Sequence, residues 1–143
     1  MMKELQSERR KALVINYLSF ILFLSIFYLV KAGVFPLIYL STNLLPLSGI
    51  VFSFHIAFGK SHLWKLTHSA YKDLDERETE LVFKATTISY SIFTIICLVM
   101  IYVFNFIGFG PIDVVLAAFL LYLAHSLPAA IIAWNQKVII ETE

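Results

Sequence analysis

The sequence offers little with which to build a disulfide, a metal site or a catalytic centre. Cys97 is the only cysteine, so no disulfide forms within the chain and folding requires no oxidising compartment. The HExxH, GxSxG and CxxC motifs are absent, as is a glycine-rich loop of the kind that holds phosphate. His62 and His68 have no third ligand nearby, whereas zinc takes three or four, so we predict no metal site and no cofactor.

Charged residues are scarce as well. They make up 15% of the 143 residues, against 59% apolar residues, and the mean hydropathy is +0.81. In a soluble domain about a quarter of the residues are charged, so this chain is too apolar to be covered by water. The net charge of +1 gives no reason to expect a nucleic-acid partner.

Four long apolar runs are present instead, at about 12–30, 36–58, 85–107 and 112–134. A helix that spans a bilayer needs about 20 apolar residues. Asp113 is the only charged residue inside these runs, and it lies near a helix end. We predict an all-α membrane protein with four transmembrane helices, arranged as two hairpins in a single domain over 1–143. The first run is too long for a signal peptide and no Ala-x-Ala site follows it, so we expect it to be retained.

The polar segment between the two predicted hairpins has a helical pattern of its own. Its apolar side chains recur at helical spacing, at Leu63, Leu66, Ala70 and Leu74. We predict a short amphipathic helix over about 61–74 that lies on the cytoplasmic surface of the membrane. Its predicted membrane-surface residues are Trp64, Lys65 and Lys72, because tryptophan prefers the headgroup level and lysine reaches water.

Acidic residues mark the start of the third helix. Asp75 followed by Glu78 has the spacing of a capping box, and negative charge is favourable at a helix N-terminus. Glu80 and Lys84 are four residues apart in the favourable orientation. Asp113 has the position of a cap for the fourth helix. The charged run is therefore explained as a capped, solvated helix start, without a ligand.

Basic residues lie almost entirely on one side of the predicted spans, and only Lys31 lies on the other. Since cytoplasmic loops carry the excess of Lys and Arg, we predict a multi-pass protein of the inner (cytoplasmic) membrane with both termini cytoplasmic. The residues that mark the cytoplasmic side are Lys3, Arg9, Arg10, Lys11, Lys60, Lys65, Lys72, Arg77, Lys84 and Lys137.

Several polar residues lie inside the apolar runs. An ionisable group in a membrane is a candidate for function, but a neutral histidine that bonds to a neighbouring helix is the commoner case. The structural interpretation therefore comes first, with these residues in the seams between helices. The candidate ligand or pore residues are His55, His125, Tyr122, Ser48 and Thr94. Pro46 and Pro128 are predicted to bend the second and fourth helices.

Two segments of the chain are alike. Residues 11–20 read KALVINYLSF and residues 84–93 read KATTISYSIF, so Lys, Ala, Ile, Tyr and Phe coincide at one fixed offset. Each segment opens the first helix of a predicted hairpin. The pattern indicates a tandem repeat of a two-helix unit related by an axis along the membrane normal. Chance similarity between two apolar helices is the alternative.

One stretch resembles a known group of proteins. The run DERETELVFKA, Asp75 to Ala85, is similar to the start of a helix in small prokaryotic integral membrane proteins of unknown function. These carry an acidic-Glu-Arg-acidic stretch followed by Lys-Ala. The segment LPAAIIAW, Leu127 to Trp134, resembles the end of their last helix. The resemblance implies a four-helix protein of a bacterial or archaeal inner membrane, and it implies no particular activity.

Three functions are consistent with these features. The first is a non-enzymatic scaffold or accessory subunit that associates with itself or joins a larger membrane complex, which fits the small-residue faces and the lack of catalytic motifs. The second is a small oligomeric channel or transporter lined by the Ser, Thr and His faces. The third is a protein that binds or modifies a lipid in a pocket near His125, opened by the bend at Pro128. In each case the lipid bilayer is the expected environment.

Overall fold

The computed structural model describes residues 2–59, 63–108 and 110–135. Within these residues the chain is helical and contains no β-strand. The α-helices are α1 (Met2–Lys31), α2 (Leu44–Phe54), α3 (Leu63–His68), α4 (Glu76–Ile107) and α5 (Val114–Asn135). A 3₁₀-helix covers Leu37–Asn43, a π-helix covers His55–Gly59 and a short 3₁₀-helix covers Tyr71–Asp73.

Four helical segments are long and apolar enough to cross a membrane, as the sequence predicts. They are Gln6–Lys31, Leu37–Gly59, Glu76–Ile107 and Val114–Asn135. Their mean hydropathies lie between 1.5 and 2.3, which is typical of bilayer spans. The predicted fold class is confirmed to this extent.

Two helices begin before the apolar runs that they contain. α1 begins at Met2, and α4 begins at Glu76, directly after the predicted cap Asp75, so each helix starts in the polar segment that precedes its apolar run. The start of α4 is set by the predicted capping box. The backbone N–H of Glu78 donates to Asp75 Oδ1 (2.6 Å), and the backbone N–H of Asp75 donates to Glu78 Oε2 (3.2 Å). These bonds satisfy two of the donors that a helix start leaves open.

The chain divides into two compact units, Lys3–Lys60 and Ser61–Glu143. In the first unit, a buried amide joins α1 to α2. Asn16 Nδ2 donates to the backbone carbonyl of Ile50 (3.1 Å) and to Ser53 Oγ (2.9 Å), and Ser53 Oγ donates onward to the Gly49 carbonyl (2.5 Å). Asn16 is 0% exposed. Bonds of this kind stabilise helix pairs where no water competes for the amide.

A glycine lets the same two helices approach closely. A Cβ atom added at Gly49 would lie 2.6 Å from Ser19 Oγ, so a larger residue requires the Ser19 hydroxyl to rotate away or one helix to shift. The predicted seam residue Ser48 is placed differently. It is exposed, and its hydroxyl donates to the Leu45 carbonyl, three residues earlier in its own helix. Gly49 and Ser53 form the contact between α1 and α2 instead.

The second span changes helix type twice. Its first turns are the 3₁₀-helix Leu37–Asn43, α2 follows from Leu44, and its last turn is the π-helix His55–Gly59. Pro46 lies in the first turn of α2, where its missing N–H breaks no bond within the helix. The side-chain oxygen of Asn43 is buried and has no hydrogen-bond partner among the described residues. An N-cap side chain usually bonds the second or third N–H of its helix, and Pro46 has none to offer.

In the second unit, α3, α4 and α5 pack against one another. α4 contributes Val82, Ala85 and Ser89 to the buried face, at helical spacing. From α5 the buried residues are Leu116, Leu123, Ser126, Leu127, Ala129, Ala130, Ile132 and Ala133. Asp113 caps α5, as predicted, because its Oδ1 accepts the backbone N–H of Leu116 (3.0 Å).

α3 is shorter than the amphipathic helix predicted over 61–74. It covers only Leu63–His68, and a bend at Ser69 separates it from the 3₁₀-helix Tyr71–Asp73. Leu63 and Leu66 are buried as the pattern predicts. Residues 61 and 62 lie outside the described residues.

Candidate functional site

A cleft of about 290 Å³ lies among α3, α4 and α5. On α4 the cleft is lined by Val82 and Thr86, which come just after the charged first turns of that helix. The remaining lining residues are Thr67, His68, Ser69 and Tyr71 from α3 and its continuation, and Ala124, His125 and Pro128 from α5. Most of its polar lining residues therefore come from α3 and its continuation. The α4 residues that line it lie where the charged first turns of α4 give way to the apolar run.

The α5 wall is formed around His125 and Pro128. His125 is exposed, and its Nδ1 lies 2.8 Å from the backbone carbonyl of Leu121, one turn earlier. Pro128 lies inside the helix and has no N–H, so the helical bond to the Ala124 carbonyl cannot form. Ala124 and Pro128, the two residues that this missing bond would join, both line the cleft. The proline therefore gives the cleft a backbone acceptor as well as the imidazole.

An aromatic stack beside the cleft joins α3 to α5. The rings of Trp64 and His68 lie 4.2 Å apart between centroids at an angle of 24°, and those of His68 and His125 lie 6.0 Å apart at 9°. The second separation lies within the 4.5 to 7 Å that is usual for interacting rings and the first is shorter, so His68 contacts rings on both sides. The stack holds the short α3 against α5.

Both imidazoles have the same hydrogen-bond pattern. His68 Nδ1 lies 2.8 Å from the Trp64 carbonyl, as His125 Nδ1 does from that of Leu121. A carbonyl only accepts, so each Nδ1 carries the proton. In a neutral imidazole the other nitrogen, Nε2, is then an acceptor. The Thr67 hydroxyl, 3.1 Å from His68 Nδ1, lies within reach of the Leu63 and Trp64 carbonyls and accepts from the ring.

Comparison of the chain with models of protein families, with curated proteins and with solved structures finds no match. The resemblance of the Asp75–Ala85 segment to small prokaryotic membrane proteins therefore stays a prediction. The site is interpreted from its geometry alone.

The structure brings only one of the predicted ligand or pore residues to this cleft. His125 lines it, whereas Tyr122, one turn away on α5, does not. Thr94 is exposed on α4 and donates its hydroxyl to the Tyr90 carbonyl (2.8 Å). Among the predicted membrane-surface residues, Trp64 is partly buried by the stack, and Lys65 and Lys72 are exposed.

The other two candidates, His55 and Ser48, belong to the first unit. His55 begins the π-helix near the end of the second span, so it does not lie deep in that span. Its imidazole lies over Gly59, where an added Cβ atom would be 2.9 Å from His55 Nδ1. Ser48 is exposed and bonds its own helix. Neither residue contributes to the cleft.

The cleft does not have the composition of a metal site. Two imidazoles line it, and no group of three or more His, Cys, Asp or Glu residues that could hold a metal occurs in the part of the chain that the structure describes. Its remaining polar atoms belong to hydroxyls and to a backbone carbonyl. These groups bind by hydrogen bonding.

The sequence did not indicate that His68 lies next to His125. Thr67, Ser69, Tyr71 and Thr86 were not singled out either. A local signal existed for one contact, because Trp64 and His68 are four residues apart on one helix and therefore face each other. No local pattern indicated the meeting of His68 with His125, which depends on how α3 packs on α5.

Proposed function

We propose that this protein binds a membrane lipid, with the lipid headgroup in the cleft among α3, α4 and α5. The observation that carries the proposal is the pair of imidazoles, His68 and His125, on facing walls of an open cleft beside an apolar helix surface. A pocket that combines a few convergent polar groups with apolar walls is the usual form of a binding site. This conclusion takes up the third of the functions predicted from the sequence.

The size of the cleft supports a headgroup as its occupant. Sites for whole drug-sized ligands measure about 300–1,000 Å³, so a cleft of about 290 Å³, at the lower end of this range, suits a headgroup better than a whole lipid. The rest of an amphiphile needs an apolar surface outside the cleft. Leu121 and Val114, which are 63% and 80% exposed, continue the His125 face of α5 at helical spacing. An acyl chain along this face would lie parallel to the chains of the bilayer.

Lipid retained by the purified protein tests the proposal. Thr86 lines the cleft and is exposed on α4, so Thr86→Phe fills the cleft without replacing a buried side chain. We expect native mass spectra of the wild-type protein, released from mild detergent, to contain a lipid adduct. We expect the adduct to fall about tenfold or more in Thr86→Phe, because the headgroup loses its space.

The control is Ile88→Phe, two residues further on. Ile88 is also exposed on α4 but does not line the cleft, so its lipid adduct should equal that of the wild-type protein. Equal adducts in all three proteins, or none in the wild-type protein, would contradict the proposal.

We also propose the orientation predicted from the basic residues, with both termini and α3 on the cytoplasmic side of the inner membrane. The support is the positive-inside rule, since Lys31 is the only basic residue at the opposite ends of the spans. A membrane-impermeant thiol reagent should modify Lys31→Cys in intact cells and Lys65→Cys only in opened cells. Modification of Lys65→Cys in intact cells would overturn this orientation.

We propose further that the two units are a tandem repeat of one helical hairpin. At the offset of 73 residues that aligns Lys11 with Lys84, six buried positions of the first unit fall on buried positions of the second. These pairs are Ala12 and Ala85, Asn16 and Ser89, Asn43 and Leu116, Ile50 and Leu123, Ser53 and Ser126, and Ala57 and Ala130. α3 precedes only the second hairpin, so the cleft that α3 lines occurs once, in the second unit.

Self-association, the first function predicted from the sequence, is kept as a second proposal. Its support is α4, of which only 6% of the most apolar window is buried within the chain. Its exposed small residues, Thr87, Ser91 and Thr94, would let another helix approach. The same native mass spectra report the assembly, and a spectrum of monomers alone would contradict it.

A further inference from the structure

We infer that the cleft selects a lipid whose headgroup is a neutral alcohol, such as diacylglycerol, over a lipid that carries a phosphate. The inference rests on the proposed lipid binding and specifies its ligand. It follows from the kinds of hydrogen-bonding groups that line the cleft and from the charges that the cleft lacks.

The two imidazoles present hydrogen-bond acceptors to the cleft. In each ring, Nδ1 carries the proton because it faces a backbone carbonyl at 2.8 Å. Nε2 of the neutral ring therefore has a lone pair and no proton. Neither His68 nor His125 has a bond at Nε2 within the described residues. A ligand that satisfies them must donate hydrogen bonds, and a hydroxyl group does so.

Other lining groups have the same preference. The hydroxyl of Ser69 donates to the Lys65 carbonyl (2.8 Å), and that of Thr67 lies 3.0 Å from the Leu63 carbonyl. Because their protons are used within the helix, these oxygens present lone pairs to the cleft. The Ala124 carbonyl, left without its helical donor by Pro128, is a further acceptor. Acceptors therefore predominate on both walls.

The surroundings do not favour an anion. None of the lining residues is Lys or Arg, which are the usual partners of phosphate. The N-termini of α4 and α5 are both capped by carboxylates, Asp75 with Glu78 in α4 and Asp113 in α5. These carboxylates occupy backbone donors that could otherwise bind phosphate. The α3 residues that line the cleft come from its C-terminal end, where the helix dipole is negative.

A direct comparison uses two lipids that differ only by the phosphate. The wild-type protein in nanodiscs is crosslinked to a photoreactive diacylglycerol, and unlabelled diacylglycerol or phosphatidic acid with identical acyl chains is added as competitor. We expect diacylglycerol to compete at a concentration about tenfold or more below that of phosphatidic acid. Equal or stronger competition by phosphatidic acid would overturn the inference.

Phenylalanine variants test the role of the imidazoles. His68→Phe and His125→Phe keep an aromatic ring and remove Nε2, so each should weaken diacylglycerol binding about threefold to tenfold, the usual effect of one hydrogen bond. His55→Phe removes a histidine outside the cleft and should bind as the wild-type protein does. Unchanged binding in both cleft variants would contradict the assigned role.

Failure of this inference is distinguishable from failure of lipid binding itself. If phosphatidic acid displaces the probe best while Thr86→Phe still abolishes the lipid adduct, the cleft binds lipid and only the headgroup assignment is wrong. If no lipid competes and the wild-type protein has no adduct, the proposed function is wrong as well.

Discussion

At the scale of single residues, the first unit contains two buried asparagines with opposite energetic roles. Asn16 is fully buried, and its amide nitrogen donates to two partners on α2. Asn43 is also buried, but its side-chain oxygen has no partner within the described residues. A satisfied amide holds two helices together, whereas a buried acceptor without a donor costs free energy.

We therefore expect the same substitution to have different effects at the two positions. Asn16→Leu should lower the free energy of unfolding by about 0.6–2 kcal/mol, because the bonds to Ile50 and Ser53 are lost. Asn43→Leu should leave stability unchanged or raise it, because leucine has a volume similar to that of asparagine and lacks the unsatisfied acceptor. Reversible unfolding in mixed micelles, followed by circular dichroism, measures both. A larger loss in Asn43→Leu than in Asn16→Leu would refute this assignment.

At the scale of elements, α3 depends most on its neighbours. It has only six residues, whereas an isolated helix in water is marginal below about 12–15. Its stability must come from Leu63 and Leu66, which are 5% and 3% exposed, and from the stack of Trp64, His68 and His125. One wall of the cleft therefore exists only while α3 is packed on α4 and α5.

Truncation of a buried residue on α3 should unfold this element without unfolding the spans. Leu66→Ala removes contacts whose loss costs about 2–5 kcal/mol in a core, so amide hydrogens of residues 63–73 should exchange at least about tenfold faster. Lys65→Ala, on the exposed face of the same helix, should leave exchange unchanged. Hydrogen exchange read by mass spectrometry distinguishes the two. Equal exchange in both variants would show that α3 does not depend on this packing.

Local chemistry made some elements predictable and others not. Asp75 and Glu78 lie three residues apart, so their reciprocal bonds follow from spacing alone, and apolar length indicates the four spans. The 3₁₀- and π-helical turns of the second span were not predicted, because the apolar residues there show no periodicity that distinguishes these helix types from an α-helix. The start of α1 at Met2 was not predicted, since its first turns are polar yet suited to a helix.

At the scale of the whole molecule, the candidate site depends on contacts between residues far apart in sequence. The sequence marked His125 and Pro128 as features of one helix, and it marked Trp64 as an interfacial residue. Nothing in the spacing of these residues indicated that His68 would face His125, because that contact is set by the packing of α3 on α5. The same limit explains why Asn16 was overlooked, since its partners lie on another helix.

The central claim is that lipid occupies this cleft in preference to the other exposed apolar surfaces. The most direct measurement uses a photoreactive fatty acid that the expression host incorporates into all its lipids, followed by sequencing of the labelled peptides. The account predicts that label displaceable by excess host lipid is concentrated in residues 114–125, the α5 face on which it places the acyl chain, and that Thr86→Phe removes this label. Displaceable label that is absent from this face, or that is spread evenly over the four spans, would contradict the account.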